Sequence, residues 1–376
     1  MALSKVDLAN QVENILPETL GGTGASQFPA QFRNIIINGD MNIAQRGTST
    51  ASITSGSTFP CVDRFAFEPN TMGTWTVSQD SDVPSGQGFA KSMKIDCTSA
   101  DASPASGDLL QIMSKYEGQN LQYLKYGTAN AESITMSFWV KSNKTGTYVV
   151  NIYSPDSVRL IGGTYTINSS NTWEKKTITF AGDTISGLDN DNNTSFQIHW
   201  ILGTGSDFTS GTLRTTWTAY TNGDYAAGQT VNLADNTANN FLITGVQLEA
   251  GTTASDFEFL PYDVNLQRCQ RYFQFIGGVQ NANQASGSST ASTTSVFTIH
   301  YQTTMRSAPT HSFSDMKITD DVNYDKTISA IAASNSSIYS ARVFYTHASG
   351  ATQYRPASLQ PVSTSSTSGI TLNAEL

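Results

Sequence analysis

The feature that most constrains this chain is a strict two-residue alternation of apolar and polar side chains. In Met136-Ser-Phe-Trp-Val140, Met136, Phe138 and Val140 share one face; in Ser195–Leu202, Phe196, Ile198, Trp200 and Leu202 do the same. A period of two sends alternate side chains to opposite sides of a pleated strand, so each segment has one side to bury. Thr147–Tyr153, Thr177–Phe180 and Phe241–Glu249 continue the pattern between turns rich in Gly, Asn, Asp and Ser. Asn143-Lys-Thr-Gly146 reads as the turn of a hairpin, and Gly245 inside its strand marks a bulge or a close backbone approach. Short strands at this spacing over roughly 220 residues predict an all-β, antiparallel sandwich.

A second, smaller β set follows in Ser295–Tyr301, Ser337–Tyr345 and Gly369–Asn373. Asn265–Phe273 reads as a helical turn leading into a strand. Gly277–Thr294, poor in apolar residues, reads as a long loop. The expected division is an N-terminal docking segment and Gly-rich linker over 1–33, a sandwich over 34–262 and a C-terminal β tip domain over 263–376. No repeat of fixed period is visible, which disfavours a propeller or β-helix.

The first residues have a different period. Ser4 and Asp7 have capping-box spacing, Leu8, Val12, Ile15 and Leu16 fall on one helical face, and Pro17 stops the helix. A helix of about 12 residues is marginal alone in water. Its apolar stripe therefore needs copies of itself, a receptor surface or its own domain as a partner. Gly21-Gly-Thr-Gly24 favours a helix detached from the body. Residues 1–28 are accordingly expected to dock the protein on something else, through Leu8, Val12, Ile15 and Leu16.

Composition narrows the function. Only 14% of residues are charged and the net charge is −9, with 21 basic residues spread thinly. Nucleic-acid binders cluster Lys and Arg against phosphates, so no nucleic-acid partner is expected. No apolar run approaches the length of a membrane span. Met-Ala-Leu-Ser-Lys-Val-Asp lacks the apolar core of a secretion signal, so reaching the outside of a cell would need another route, such as lysis. Cys61, Cys97 and Cys269 have neither disulfide nor zinc spacing and are expected to be buried thiols.

No catalytic constellation stands out, and no enzyme activity, cofactor or metal is expected. His199, His300, His311 and His347 form no metal motif, and His199, opposite the apolar face of its strand, is expected to be solvated or at an interface. Asp189-Asn-Asp-Asn-Asn193 alternates oxygen ligands but lacks the Gly and Glu of a calcium loop. Glycan binding is the better fit, because sugars present apolar faces and hydroxyl edges to aromatic rings beside Asn, Asp and Ser. Trp200 belongs to a core face and Trp173 to a structural turn. Trp217, Tyr220 and Tyr225, in a Thr/Gly/Asn-rich stretch, are the candidate exposed contacts. Asn281–Thr294 and Ala332–Ser336 are candidate binding loops.

Several phrases occur together in order: Asn34-Ile-Ile-Ile-Asn-Gly-Asp-Met-Asn-Ile-Ala-Gln-Arg-Gly47, Asp63-Arg-Phe65, Phe138-Trp-Val-Lys-Ser142, Asn171-Thr-Trp173, Gly245-Val-Gln-Leu-Glu-Ala-Gly251, Cys269-Gln-Arg-Tyr-Phe273 and Met305-Arg-Ser-Ala-Pro-Thr310. With Leu3–Asn10 and Gly21–Gly24, this order resembles the tail-fibre and receptor-binding proteins of tailed bacteriophages. The resemblance implies a jelly-roll body like those of carbohydrate-binding modules, a distal β-domain and a homotrimer. It also implies a place in the virion, with residues 1–28 held by a tail or capsid protein and the far end meeting a host cell-surface glycan. Tail and capsid-surface fibres share these modules, and a secreted lectin or a polysaccharide depolymerase are the remaining alternatives.

Overall fold

The computed structural model describes residues 32–320, 325–365 and 367–376. Leu8, Val12, Ile15 and Leu16, with the docking role given to residues 1–28, lie outside the described residues. The first domain contains β1 (Ser49–Ile53), β2 (Ala66–Glu68), β3 (Thr74–Asp80), β4 (Ser92–Ser99), β5 (Leu109–Glu117) and β6 (Ile134–Ser142). It continues with β7 (Gly146–Ser154), β8 (Arg159–Ile167), β9 (Glu174–Phe180), β10 (Thr194–Thr204), β11 (Thr218–Ala219) and β12 (Asn240–Ala250). Two antiparallel six-stranded sheets result, in the orders β1-β3-β4-β12-β6-β9 and β11-β8-β7-β10-β5-β2. Their inner faces close one core, in which Trp75, Phe138, Trp200 and Phe241 are fully buried. The Phe138 and Trp200 rings meet edge-on across it, 6.3 Å apart. Burial of side chains this large contributes roughly 1.5–3 kcal/mol each, so the alternation read in the sequence is the stabilising pattern of the sandwich.

Asn143–Gly146 is not a hairpin turn. β6 pairs with β12 and β9, whereas β7 pairs with β10 and β8. Both hydrogen-bonding edges of β6 are already occupied, so the chain must cross to the other sheet. Asn143 fixes that corner: its Oδ1 accepts from the Asn240 N–H at 2.9 Å and its Nδ2 donates to Asn239 Oδ1 at 3.0 Å. Gly245 does sit at a bulge, with a register shift between Thr244 and Gln247 and φ +61°. A Cβ there would lie 2.5 Å from the Phe89 ring, so the glycine answers both a left-handed backbone and a close approach.

The second domain begins with α1 (Tyr262–Gln270) and β13 (Phe273–Gly277), followed by β14 (Ala285–Ala291), β15 (Thr294–His300), β16 (Thr310–Ser314) and β17 (Met316–Thr319). It ends with β18 (Asp325–Ser336), β19 (Ser340–His347), β20 (Pro356–Pro361) and β21 (Gly369–Asn373). Strands β14-β15-β19-β18-β17-β20 close a barrel, and β13-β21-β16 form a small sheet. The expected 277–294 loop therefore contains a strand, and Ala332–Ser336 lies in β18. β14 lacks large apolar side chains because its interior positions are tight: a Cβ on Gly287 would collide with the Val296 carbonyl, and Ser289 spends its hydroxyl on Ser295 at 3.0 Å.

The two domains are joined by buried charge. Arg64, 1% exposed, pairs with Glu375 and stacks its guanidinium 3.5 Å from the Tyr272 ring centre. Arg46 reaches Glu375 at 3.0 Å and Asp63 at 3.4 Å, and lies over Phe273. Arg306 donates to Ala374 O and Asn192 O, both at 2.9 Å. Two cations converge on the Glu375 carboxylate, so the tip is keyed to the body by directional contacts in a low-dielectric setting.

Candidate functional site

Both outer faces of the sandwich are largely covered. Over the β1-side sheet, Ser92 Oγ donates to Asp82 O and Thr244 Oγ1 to Lys91 O, each at 2.7 Å. Trp173 Nε1 and the Lys141 ammonium both hold Asp82, at 2.9 and 2.5 Å, and Phe89 packs on Phe257. The 81–91 segment is thereby fastened across that face. Over the other sheet, the 205–231 segment packs on Leu109, Val149, Leu160 and Ile201.

This covering segment carries the three aromatic residues expected to be exposed. Trp217 is instead buried: it stacks on Phe196 with centroids 6.0 Å apart and donates Nε1–H to Ala181 O at 2.8 Å. Tyr225 is buried too, and its hydroxyl donates to Gln111 Oε1 at 2.6 Å. Neither ring presents a face to a sugar. Tyr220 is half-buried, packed edge-on against Tyr153 and Tyr225. The polar residues around these rings face outward while the rings pin the segment down, a division that composition alone does not reveal. His199 also departs from expectation: it is buried under the segment, beside Tyr225, and desolvation, aided by Lys115, pushes its pKa down to about 3. It stays neutral and has no exposed role.

The barrel offers a different surface. β19 alternates cleanly, with Ala341, Val343, Tyr345 and His347 buried and Ser340, Arg342, Phe344 and Thr346 on the outer side. Thr298 of β15 and Asn335 of β18 lie in register with Arg342 on either side. Beyond them, Ser337 closes the β18–β19 turn by accepting from the Tyr339 and Ser340 N–H groups, both at 3.1 Å, which leaves Tyr339 64% exposed at the tip. Thr298, Ser334, Asn335, Ser336, Ser337, Ser340 and Arg342 line an open groove of 530 Å³, and Tyr339 sits in the turn between Ser337 and Ser340 beside it.

The groove is hydroxyl-rich and contains one cation. The Arg342 guanidinium lies over the Phe344 ring at 4.8 Å and pairs with no carboxylate among the described residues. Beside the groove, His311 Nδ1 is 3.2 Å from both Ser334 Oγ and Ser336 Oγ, and its Nε2 is 3.2 Å from the Tyr301 hydroxyl. Burial pulls the His311 pKa below its ordinary value, so the ring orders these hydroxyls as a neutral hydrogen-bonding hub. Among the described residues no carboxylate lines the groove. It can offer hydroxyl and amide hydrogen bonds and one charge-assisted donor, with the exposed Tyr339 phenol in the adjoining turn.

Part of the expected Ala332–Ser336 segment thus lines the groove, as Ser334, Asn335 and Ser336, although on a strand. Asn281–Thr294 does not line it. Arg342 and Tyr339 were missed. For Arg342 the signal was present in the sequence, since the polar side of Ser340–His347 carries an Arg two residues from a Phe; Tyr339 lies before that strand, in the turn built on Ser337. Among the described residues no group of three or more His, Cys, Asp or Glu is placed to hold a metal ion. Asp191, in the Asp189–Asn193 stretch, spends its carboxylate on the N–H and Nδ2 of Asn193.

No family model matches the chain, and no curated protein matches it. Among solved structures the chain is similar to the enzymatically active domain of bacteriophage CBA120 tailspike protein 4, at 13% identity and TM-score 0.30, over 58% of this chain and 21% of that one. The match spans about a fifth of the tailspike chain. The chain is also similar to a family 11 carbohydrate-binding module from Clostridium thermocellum in complex with a β-1,3-1,4-mixed-linked tetrasaccharide. That match has 11% identity and TM-score 0.27, over 55% of this chain and 98% of that one. A tandem CBM22-1–CBM22-2 domain from Paenibacillus barcinonensis Xyn10C matches at 9% identity and TM-score 0.23, over 86% of this chain and 97% of that one. At these identities and scores the similarities fix neither a family nor a ligand for this chain.

Proposed function

We propose that this protein is a bacteriophage virion fibre that binds a host cell-surface glycan through the barrel groove and performs no catalysis. The observation that carries the reading is the groove: Ser334, Asn335, Ser336, Ser340 and Thr298 around an Arg342 that pairs with no carboxylate among the described residues, with the exposed Tyr339 in the adjoining turn. Hydroxyls, an amide and a guanidinium are the partners that sugar hydroxyls require, and a phenol ring suits the apolar face of a pyranose. The order of phrases that resembles phage tail fibres supplies the setting. Residues 1–28 dock on a tail protein, the sandwich forms the body, and the barrel forms the tip. A homotrimer would present three grooves and convert weak contacts into firm adsorption. α1 passes from sandwich to barrel without an extended shaft among the described residues, which suits a short fibre and keeps attachment to the capsid surface as the second reading.

The test is adsorption. Purified full-length protein should coat host cells, extracted envelope polysaccharide should compete, and reducing ends should not accumulate. A form lacking residues 1–28 should still coat cells yet fail to join particles. Failure of the full-length protein to bind cells, or incorporation of the truncated form into particles, would refute the corresponding half of the proposal. Labelling intact particles with antibody separates tail from capsid attachment.

A further inference from the structure

A second cleft, of 340 Å³, shares no lining residue with the barrel groove. It lies where residues 32–37, the end of β5 with the turns after it, and the last turn of α1 come together. Two arginines reach it from α1, three positions apart and so on one side of the helix. Arg271 is fully engaged: it forks onto Glu117 with bonds of 2.8 and 2.7 Å, and the Tyr272 hydroxyl donates to the same carboxylate. Burial pushes Glu117 up, but these hydrogen bonds outweigh it and hold the carboxyl below its ordinary pKa. Glu117 is therefore charged and already neutralised.

Arg268 has no such partner. Its one hydrogen bond among the described residues runs from Nη2 to the Asn34 carbonyl at 3.3 Å. The nearby Glu258 carboxylate accepts the backbone N–H groups of Arg33 and Asn34 and acts on Arg268 through its charge, without a salt bridge between the two among the described residues. The half-buried Arg268 guanidinium is balanced only through space by Glu258, with no carboxylate bonded to its fork among the described residues, and it faces a cleft with room for a ligand. The Phe32 ring is 55% exposed and the Tyr123 ring 36% exposed, and both line the same cleft, together with the exposed Asn120.

We propose that this cleft binds the carboxylate of an acidic saccharide, with Arg268 as its charged partner. The planar guanidinium fork matches a carboxylate, the Phe32 and Tyr123 rings suit the apolar face of a sugar, and the Asn120 amide suits a hydroxyl. The volume falls in the range of small-ligand sites. The inference rests on the glycan reading for its ligand class, but its residues are separate from the groove.

Titration calorimetry on the full chain, at matched ionic strength, should detect sodium glucuronate but neither glucose nor inorganic phosphate. Arg268→Gln should weaken glucuronate at least about tenfold, and Arg268→Lys should weaken it less. Asn120→Ala, at an exposed position that leaves the core intact, should weaken it roughly threefold, and Arg342→Ala should leave it unchanged. Three outcomes would overturn the proposal: no glucuronate binding, phosphate binding as tight as glucuronate, or an Arg268→Gln variant that melts like wild type and binds equally well. Loss with Arg342→Ala alone would assign the acid to the groove and overturn this site. Host-glycan binding that persists while glucuronate fails to bind would refute this inference and leave the groove standing.

Discussion

Glu375→Ala should destabilise the protein more than any substitution at an exposed carboxylate. In the folded chain Arg64 is 1% exposed, and Glu375 is its carboxylate partner. The substitution leaves a buried guanidinium with the Lys115 carbonyl at 2.5 Å and the face of Tyr272. Arg46 keeps Asp63 as its second partner, so the loss is concentrated on Arg64. Breaking one side of a buried pair costs about 3–5 kcal/mol, and the remaining carbonyl and ring contacts place the expected value near the lower end, about 3 kcal/mol. Urea unfolding followed by far-UV signal should show that loss as a lower midpoint. Hydrogen exchange should show β13 and β21 losing protection first, because Glu375 adjoins them. The double variant Arg64→Met/Glu375→Leu should recover most of the loss, since an apolar pair carries no desolvation penalty. A single-variant loss below about 1 kcal/mol, or a double variant worse than the single, would refute the assignment of the junction's stability to this charge pair.

The other predictions concern the body. Desolvation raises the Asp63 pKa to about 6, against the pull of Arg46. Its stabilising contribution is therefore complete below the unfolded value near 3.8 and is lost as pH rises through 6, a penalty of about 3 kcal/mol at neutral pH. Asp63→Asn should flatten the stability–pH curve between pH 4 and 6, and an unchanged slope would contradict it. Gly245→Ala places a Cβ against Phe89 at φ +61° and should cost about 1–3 kcal/mol in a thermal melt; a neutral result would mean that Phe89 moves freely. Trp217→Ala should cost about 3–5 kcal/mol yet leave glycan affinity intact, whereas a stable variant that lost binding would restore Trp217 to a contact role.

Much of the fold was legible because period-two burial leaves a direct trace: Phe196, Ile198, Trp200 and Leu202 point into the core as their spacing requires. Gly245 was legible for a similar reason, since a strand interior tolerates glycine poorly unless geometry demands it. The Asn143–Gly146 corner was not, because a turn signal states that the chain reverses but not which sheet receives it; that depends on β12 and β9 having filled both edges of β6. β14 was hidden by its small side chains. Trp217 and Tyr225 were misplaced because the 205–231 cover has a polar exterior and no regular period, so its anchors resemble exposed aromatics. Arg342 and Phe344 were readable as neighbours on one strand face, but the groove they border needs Thr298 and Asn335 brought alongside by pairing over 44 residues or fewer and by a turn built on Ser337.

The central claim is that the barrel groove binds glycan, and the most direct test is the affinity of host-envelope polysaccharide for the wild type, Tyr339→Ala and Arg342→Ala. Both side chains are exposed, so both variants should melt within about 0.5 kcal/mol of wild type. Each should weaken binding by roughly 1–2 kcal/mol per groove, about five- to thirtyfold. Unchanged affinity in both variants, with wild-type stability, would contradict the account.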